Sequence, residues 1–157
     1  MPPDCYIGVD PGTSGGLMAI SNHTGHVAWF PFKELARVRD FLRVTDTTRS
    51  TAVLAVEEVW ASPIMGVSNA FSFGRNIGRW DELLHALDPE LVRIVRPTPQ
   101  VWQKAVAPGL VGKGDARKNA LKALARREAD VRHPGLRLTL ASCDAYLLAL
   151  YASKLSP

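Results

Sequence analysis

Cys5-Tyr6-Ile7-Gly8-Val9-Asp10-Pro11-Gly12 is the stretch of sequence that decides the fold. Its first five residues are mostly apolar and predict a short strand, which ends in an acid and runs into a turn-forming Pro-Gly pair. Two more strand-like segments follow at 17–20 and 26–30, each after a short turn. Three strands joined by tight turns predict an antiparallel meander at the start of the chain.

The rest of the chain alternates between helical and strand patterns. Apolar residues recur at helical spacing from 34 to 44, and the continuous apolar run 51–56 is typical of a strand buried on both faces. Thr98-Pro99 predicts a helix start with Thr98 as its cap. The order predicts an α/β fold, a five-stranded mixed sheet covered by helices. The remaining predicted elements are a helix from about 70 to 87, a strand at 91–95, and helices at 115–128 and 142–155.

The composition is that of an ordinary globular protein. The chain has 157 residues, of which 46% are hydrophobic and 22% charged, so we expect one domain over 1–157 and exclude wholesale disorder. No apolar run approaches the ~20 residues of a membrane helix, and the first residues lack the pattern of a secretory signal. We therefore expect a soluble intracellular domain with no membrane partner.

Cysteine and histidine do not indicate a structural metal or a disulfide framework. The two cysteines form no Cys-x-x-Cys pair, and the four histidines show no zinc-ligand spacing. Buried free thiols and ordinary surface histidines are the expected roles.

Positive charge is concentrated in one segment. The whole chain carries +4, but residues 92–132 contain ten Lys or Arg and only three acids. Such a segment is the electrostatic pattern of a protein that binds a polyanion, although a solvated basic helix would look the same. Lys118, Lys122 and Arg126 are spaced as one stripe of a helix, which favours contact with a phosphate backbone.

Three acidic residues lie at positions where burying their carboxylates would cost free energy unless those carboxylates have a function. Asp10 ends the first strand, Glu57 ends the fourth, and Asp144 shares a helix face with apolar residues that must pack on the sheet. Each acid alone could be a turn-former, a strand end or a helix cap. If the strands are neighbours, the carboxylates converge, and converging carboxylates bind Mg²⁺ or Mn²⁺. Two such ions about 4 Å apart can promote phosphodiester hydrolysis.

A phosphate-gripping loop is the rival interpretation of 8–16. The segment looks like the first phosphate loop of sugar kinases and actin-like ATPases. Those proteins need two such domains, which 157 residues do not supply, and no Lys follows to make a nucleotide-binding P-loop.

The three acids lie in three short motifs: Ile7-Gly8-Val9-Asp10-Pro11-Gly12, Ala55-Val56-Glu57-Glu58-Val59-Trp60 and Cys143-Asp144-Ala145-Tyr146-Leu147-Leu148-Ala149. The chain also has a Phe-rich segment at 70–75, a Pro-x-x-Trp-type segment at 97–104 and a Gly/Lys-rich loop at 111–118. In order and spacing, these segments resemble the motifs of RuvC-type Holliday-junction resolvases, especially the compact bacteriophage and chloroplast members. The likeness runs from residue 6 to about 153.

The resemblance implies an RNase H-like fold and a Mg²⁺- or Mn²⁺-dependent endonuclease of DNA recombination and repair. It implies a homodimer that cuts four-way junctions, with forks and flaps as further branched substrates, in the cytoplasm of a bacterial or phage-infected cell or in an organelle. By position, Asp10, Glu57 and Asp144 match the metal-binding acids, and Lys113 joins them as a catalytic residue near the scissile phosphate. The candidate DNA-contacting residues are Trp60, Phe71, Arg75, Lys113, Arg117, Lys118, Lys122 and Arg126.

One position departs from the family pattern. The family usually has another acid or a His three or four residues before the last Asp, where this chain has Ala141 and Leu140. A water, a backbone carbonyl or Glu58 could substitute, although alternation along a strand puts Glu57 and Glu58 on opposite faces. The alternative function is therefore a non-catalytic branched-DNA binding protein with an incomplete metal site.

The aromatic residues have structural alternatives too. Trp60 could wedge between bases or pack in the core or at a dimer contact, and Trp102 is expected to be a packing residue. One of Phe71 and Phe73 should face the core. For the dimer we expect the helix from about 70 to 87 to supply the contact, because Phe71, Ile77 and Trp80 add apolar surface beyond one core-facing stripe.

Overall fold

The computed structural model of the protein describes residues 1–156. The strands are β1 (Cys5–Asp10), β2 (Gly16–Ser21), β3 (Val27–Pro31), β4 (Ala52–Val56) and β5 (Val92–Val95). The helices are α1 (Leu35–Thr47), α2 (Val67–His85), α3 (Pro99–Val106), α4 (Gly114–Arg132) and α5 (Cys143–Ser153), with a short 3₁₀ turn at Phe32–Glu34. Every predicted element is present, with ends that shift by a few residues.

The five strands form one mixed sheet in the order β3-β2-β1-β4-β5. The first three strands are antiparallel, and β1, β4 and β5 run parallel. The meander is as predicted, and β1 and β4 are neighbours, which the sequence had left open. Because β1 and β4 are parallel neighbours, their carboxyl ends lie at the same edge of the sheet.

Helices cover both faces of the sheet and divide the core in two. On one face, α3, α4 and α5 pack over side chains such as Met18 and Val53. On the other face, α1 and α2 pack over Ile7, Val9 and Leu54. All but three residues of α5 are buried, so this helix lies inside the protein rather than along its surface. Residues that alternate along β1 and β4 therefore point to α5 and to α1/α2 in turn.

Two local expectations need correction. Thr98 precedes α3 with an extended backbone and Pro99 occupies the first turn, yet the Thr98 side chain makes no capping hydrogen bond. Trp80 does not add to an exposed apolar surface, because it is 1% exposed and stacks against Phe32 in the α1/α2 core, with ring centroids 5.3 Å apart. Trp80 was wrongly predicted to add exposed apolar surface, because helical spacing alone does not show which large side chain packs in the core.

Asp4 ties the start of β1 to the chain just before β4. Its carboxylate accepts hydrogen bonds from the Thr51 N–H (2.8 Å) and hydroxyl (2.9 Å), and His23 Nε2 lies 2.6 Å from the other oxygen. The His23 and Thr51 hydrogen bonds lower the pKa of Asp4 to about 2. A carboxyl whose pKa is depressed in the folded state adds stability above its ordinary pKa, and loses it as the pH falls.

We expect Asp4→Asn to lower the free energy of unfolding at pH 7 by up to about 1 kcal/mol, since the pair is exposed and screened. The deficit should shrink as the pH falls from about 4 towards the Asp4 pKa of about 2. Urea unfolding of both proteins at a series of pH values measures this difference in the free energy of unfolding. Asp40→Asn, an exposed position on α1, serves as the control. A deficit that does not change with pH would contradict the assigned role of the carboxylate charge.

Candidate active site

Asp10 and Glu57 meet at the carboxyl ends of the two central parallel strands. Asp10 is the last residue of β1, and Glu57 follows β4, continuing the ladder with its N–H donating to the Val9 carbonyl at 3.0 Å. Tyr6, on the same side of β1 as Asp10, and Ala55, on the same side of β4 as Glu57, pack under α5. Strand alternation therefore turns both carboxylates to the α5 face.

Asp144 reaches the same place because α5 lies directly on β1. A Cβ on Gly8 would stand 2.0 Å from the Ala145 carbonyl oxygen and 2.4 Å from the Ala149 nitrogen, so only glycine permits this approach. The contact brings the first turn of α5 to the end of β1. Asp144 is in that turn and only partly buried. The three acids named from the sequence thus converge.

The turn after β1 wraps around Asp10. The Gly12 N–H donates to Asp10 Oδ1 at 3.0 Å, and the Gly15 N–H donates to the Gly12 carbonyl at 3.0 Å. A Cβ on Gly15 would lie 2.2 Å from the Asp10 carbonyl oxygen. Gly15 is thus required for the turn.

The electrostatics of the site are those of crowded, partly buried carboxylates. Burial raises the pKa of Asp10 above its ordinary value, and the Asp144 charge adds to this, while the Gly12 N–H and the Lys122 charge oppose it. Burial also raises the pKa of Glu57 to about 7, opposed by a hydrogen bond from Trp102 and assisted by the charges of Asp10 and Asp144. The influence of neighbouring carboxylates on Asp10 and Glu57 marks a site with surplus negative charge.

Trp102 belongs to the site, although its sequence pattern predicted only a packing role. It is 1% exposed, and its indole N–H donates to Glu57 Oε1 at 3.0 Å. A buried Trp needs an acceptor for its N–H. The Pro-x-x-Trp segment gave a signal that this Trp matters, but no pattern in the sequence identified Glu57 as its acceptor.

We expect Trp102→Phe to slow any reaction that depends on Glu57 by about 10- to 100-fold, the value of one hydrogen bond to a charged group. Trp80→Phe is a matched control, because Trp80 is equally buried but its N–H finds no acceptor among residues 1–156. Both variants should be less stable in urea unfolding, and only Trp102→Phe should slow the reaction that depends on Glu57. Equal rates in the two variants would show that Trp102 only fills space.

Lys122 points into the site rather than outwards. Its ammonium donates to the Leu140 carbonyl at 2.9 Å and lies 3.5 Å from Asp144 Oδ2, and its side chain is 22% exposed. Lys118 and Arg126, one turn away on either side, are exposed. The three residues therefore do not form one uniform outward stripe, although all three lie on the side of α4 next to the acids.

The backbone of Glu58 continues the alternation of β4 past Glu57. The Glu57 N–H donates to the Val9 carbonyl on one side, and the Glu58 N–H donates to the Pro97 carbonyl at 2.9 Å on the other. Glu57 and Glu58 both line a cavity of about 160 Å³ that Ile77 and Trp80 also border. Of the substitutes considered for the missing acid, Glu58 is thus disfavoured by backbone alternation alone.

The donor set fits a divalent cation by its chemistry. All three side chains offer carboxylate oxygens, the ligands that Mg²⁺ and Mn²⁺ prefer, and their surplus negative charge favours a cation. Within residues 1–156, no three or more His, Cys, Asp or Glu side chains are grouped closely enough to hold an ion as they stand. The side chains would have to turn, since Asp144 is next to Lys122 and Glu57 is held by Trp102.

The other candidate DNA-contacting residues fall into two groups. Lys113, Lys118, Arg126 and Arg75 are exposed, as are the aromatic rings of Trp60 (66% exposed) and Phe71 (71%). Phe73 is only partly exposed, so Phe71 is the outward member of that pair. Arg117 is different, because its guanidinium donates to Gln103 Oε1 at 2.9 Å and to the Leu110 carbonyl at 2.8 Å. It anchors the loop between α3 and α4.

The five-stranded mixed sheet with helices on both faces is the α/β architecture that the sequence predicted, and it is shared by the solved structures described next. Among solved structures, the chain is similar to Thermus thermophilus RuvC in complex with a Holliday junction substrate, with a TM-score of 0.54 and 20% identity over 94% of this chain and 90% of that one. It is also similar to the yeast mitochondrial Holliday junction resolvase Ydc2, with a TM-score of 0.51 and 15% identity over 98% of this chain and 78% of that one. A second Thermus thermophilus RuvC structure gives a TM-score of 0.52 at 20% identity, covering 94% and 92%. No family model and no curated protein sequence matches the chain.

None of the helices within residues 1–156 is both long and apolar enough to cross a membrane.

Proposed function

We propose that the protein is a structure-selective endonuclease that cleaves phosphodiester bonds in branched DNA, four-way junctions above all, with the help of divalent metal ions. The observation that carries the proposal is the convergence of Asp10, Glu57 and Asp144 on one edge of a RuvC-type fold. The charge of Asp144 raises the pKa of Asp10, and the charges of Asp10 and Asp144 raise the pKa of Glu57, so carboxylates from three separate parts of the chain lie within electrostatic reach of each other. A basic segment lies beside them on α4.

The three carboxylates are the groups that would hold the metal. A bound Mg²⁺ or Mn²⁺ would activate water and stabilise the charge that develops on the phosphate. Trp102 orients Glu57, the turn at 11–15 orients Asp10, and α5 fixes the position of Asp144. In the hydrolysis, the water oxygen bonds to phosphorus and one ester bond breaks, so one strand end keeps the phosphate and the other gains a hydroxyl.

The exposed basic residues are proposed to track the DNA backbone. Lys118 and Arg126 lie on α4 on either side of Lys122, so a phosphate chain bound there would pass the acids. Lys113, in the loop just before α4, is proposed to approach the scissile phosphate. Trp60 and Phe71 offer exposed rings for stacking on unpaired bases.

We expect Lys118→Ala with Arg126→Ala to weaken binding to every branched DNA by a similar factor. Loss of two phosphate contacts should reduce the slope of log K against log salt by about 2. Fluorescence anisotropy over a salt series measures both quantities. Arg39→Ala with Arg43→Ala removes two exposed cations from α1, on the other face of the sheet, and should change neither. An unchanged slope in the α4 variant would mean that the stripe is only solvated.

A homodimer is part of the proposal, because a four-way junction offers two symmetry-related strands and a two-fold dimer places one site on each. The proposed contact is the exposed side of α2 and the segment before it, with Phe71 and Val67 in place of the buried Trp80. Light scattering at tens of micromolar, with and without junction DNA, should give twice the chain mass. A monomer mass in both conditions would contradict the dimer.

A non-catalytic junction-binding protein is the second candidate function. It is favoured by the absence of an acid at Ala141 and by the lack of a ready-made metal-binding group within residues 1–156. The test is incubation of the protein with a synthetic four-way junction in Mg²⁺ and in Mn²⁺. Nicking that needs the ion supports the nuclease, whereas tight binding without nicking in either ion supports the binding protein.

A further inference from the structure

β5 lies at the edge of the sheet, and one side of its backbone has no neighbouring strand within residues 1–156. On the paired side, the Leu91 carbonyl accepts the Ala52 N–H at 2.9 Å, and the Pro97 carbonyl accepts a β4-side N–H at the same distance. Backbone groups of every second residue point to the same side of a strand, so those between these two positions alternate in step with them. The N–H and carbonyl of Ile94 therefore point away from the sheet, at its free edge.

A groove of about 610 Å³ runs beside this free edge, between β5, the end of α2 and the loop that joins them. Its apolar walls include Leu84, Leu87 and Ile94, and the last two are only partly buried. Val92 and Ile94 both face α2, whereas Val95 faces α5. Every second side chain of a strand laid along β5 would therefore enter the groove. Unpaired strand backbone beside an apolar groove is the geometry in which an extended peptide adds a strand to a sheet.

The ionisable side chains that line the groove are all of basic residues, namely His85, Arg93 and Arg96. Arg96 is paired with Asp81 at 2.6 Å. Arg93 is exposed and donates to the Leu155 carbonyl at 3.3 Å, which leaves further guanidinium N–H groups for a carboxylate. The groove therefore complements a strand that carries negative charge.

We propose that the free edge of β5 and its groove bind an extended segment of a partner protein in which apolar and acidic residues alternate. The backbone of the segment pairs with Ile94, its apolar side chains enter the groove, and a carboxylate meets Arg93. A second copy of this chain fits less well, because two adjacent β5 strands would bring like-charged arginines together. DNA fits less well too, because the groove wall is apolar. The inference goes beyond the proposed function and does not depend on it.

The probe is a fluorescein-labelled decapeptide in which valine and glutamate alternate, titrated into the full chain without DNA or metal and followed by anisotropy. We expect saturable binding at submillimolar concentration. A peptide with lysine in place of glutamate, and one with a central proline that lacks a backbone N–H, should each bind at least roughly tenfold more weakly. The absence of saturable binding by the valine–glutamate peptide would overturn the inference, as would equal binding of all three peptides.

Arg93→Glu reverses the charge at the groove on an exposed side chain, with a melting curve to show that the variant is folded. It should weaken binding of the valine–glutamate peptide by about tenfold and strengthen binding of the valine–lysine peptide by a similar factor. Arg39→Glu, the same reversal at an exposed position on α1, should change neither affinity. An Arg93→Glu protein that binds both peptides as the wild type does would overturn the inference.

Amide hydrogen exchange of the wild-type chain locates the peptide without any variant. The Ile94 N–H should exchange rapidly in the free protein, whereas those of Arg93 and Val95, which point to β4, should be protected. Saturating valine–glutamate peptide should slow exchange at Ile94 by at least roughly tenfold. Peptide binding without protection of Ile94, or an Ile94 amide that is already protected in the free protein, would overturn the inference. A four-way junction that protects Ile94 and displaces the peptide would assign the groove to DNA and overturn it as well.

Discussion

Asp10→Asn is expected to abolish cleavage of a four-way junction while leaving its binding almost unchanged. The substitution keeps the size of the side chain and its hydrogen bond from the Gly12 N–H, but removes the charge that a cation needs. Metal stabilisation of a transition state is worth several kcal/mol, so the rate should fall by at least about a thousandfold. The phosphate contacts that we propose to supply the affinity lie elsewhere, on α4.

The measurement is a single-turnover nicking assay paired with a binding isotherm for each variant. Glu57→Gln and Asp144→Asn should behave like Asp10→Asn. Asp40→Asn, an exposed acid on the far side of the sheet, should keep the wild-type rate. If one of the three site variants cleaved at a near wild-type rate in Mg²⁺, that residue would not be a ligand.

Gly8→Ala should give the largest loss of stability. The added methyl group would overlap backbone atoms of α5, the Ala145 carbonyl oxygen at 2.0 Å and the Ala149 nitrogen at 2.4 Å. Backbone cannot turn aside as a side chain can, so α5 would have to move away from β1. Overpacking of a core costs about 1–3 kcal/mol and sometimes more, and we expect at least about 3 kcal/mol here.

Gly78→Ala is the matched control, since a Cβ there has no described atom within 4 Å and Gly78 lies in the middle of α2. It should be neutral or stabilise the protein by up to about 1 kcal/mol, because alanine is the better helix former. Urea unfolding of both variants compares them directly. A Gly8→Ala protein as stable as the wild type would mean that α5 does not contact β1 as described.

Much of the architecture follows from local sequence rules. The sequence predicts that Asp10 and Glu57 end two strands and would come together if those strands were neighbours, and the structure adds the pairing and its register. The apolar face of α5 predicts that Asp144 turns towards protein. Position relative to a strand end or a helix face therefore identified the three acids, whereas their proximity also depends on the pairing of β1 with β4.

Local sequence rules could not predict contacts between segments that are far apart in the chain. Trp102 and Glu57 are 45 residues apart, and no local pattern tells an indole which carboxylate will accept its hydrogen bond. Lys122 has the same spacing as its exposed neighbours, and only the position of the Leu140 carbonyl turns it inwards. The prediction for Trp80 was wrong for a similar reason. How deeply this side chain is buried in the α1/α2 core depends on how Phe32 packs against it.

Cleavage of one synthetic four-way junction tests the central claim most directly. The junction carries a fluorescent label on each of two opposing strands, and wild-type protein is added without metal, with Mg²⁺ and with Mn²⁺. We predict paired cuts at symmetric positions near the branch point, only when a divalent ion is present, and none with Asp10→Asn. Binding of the junction with no cut in either ion, by protein that is folded and dimeric, would contradict the nuclease.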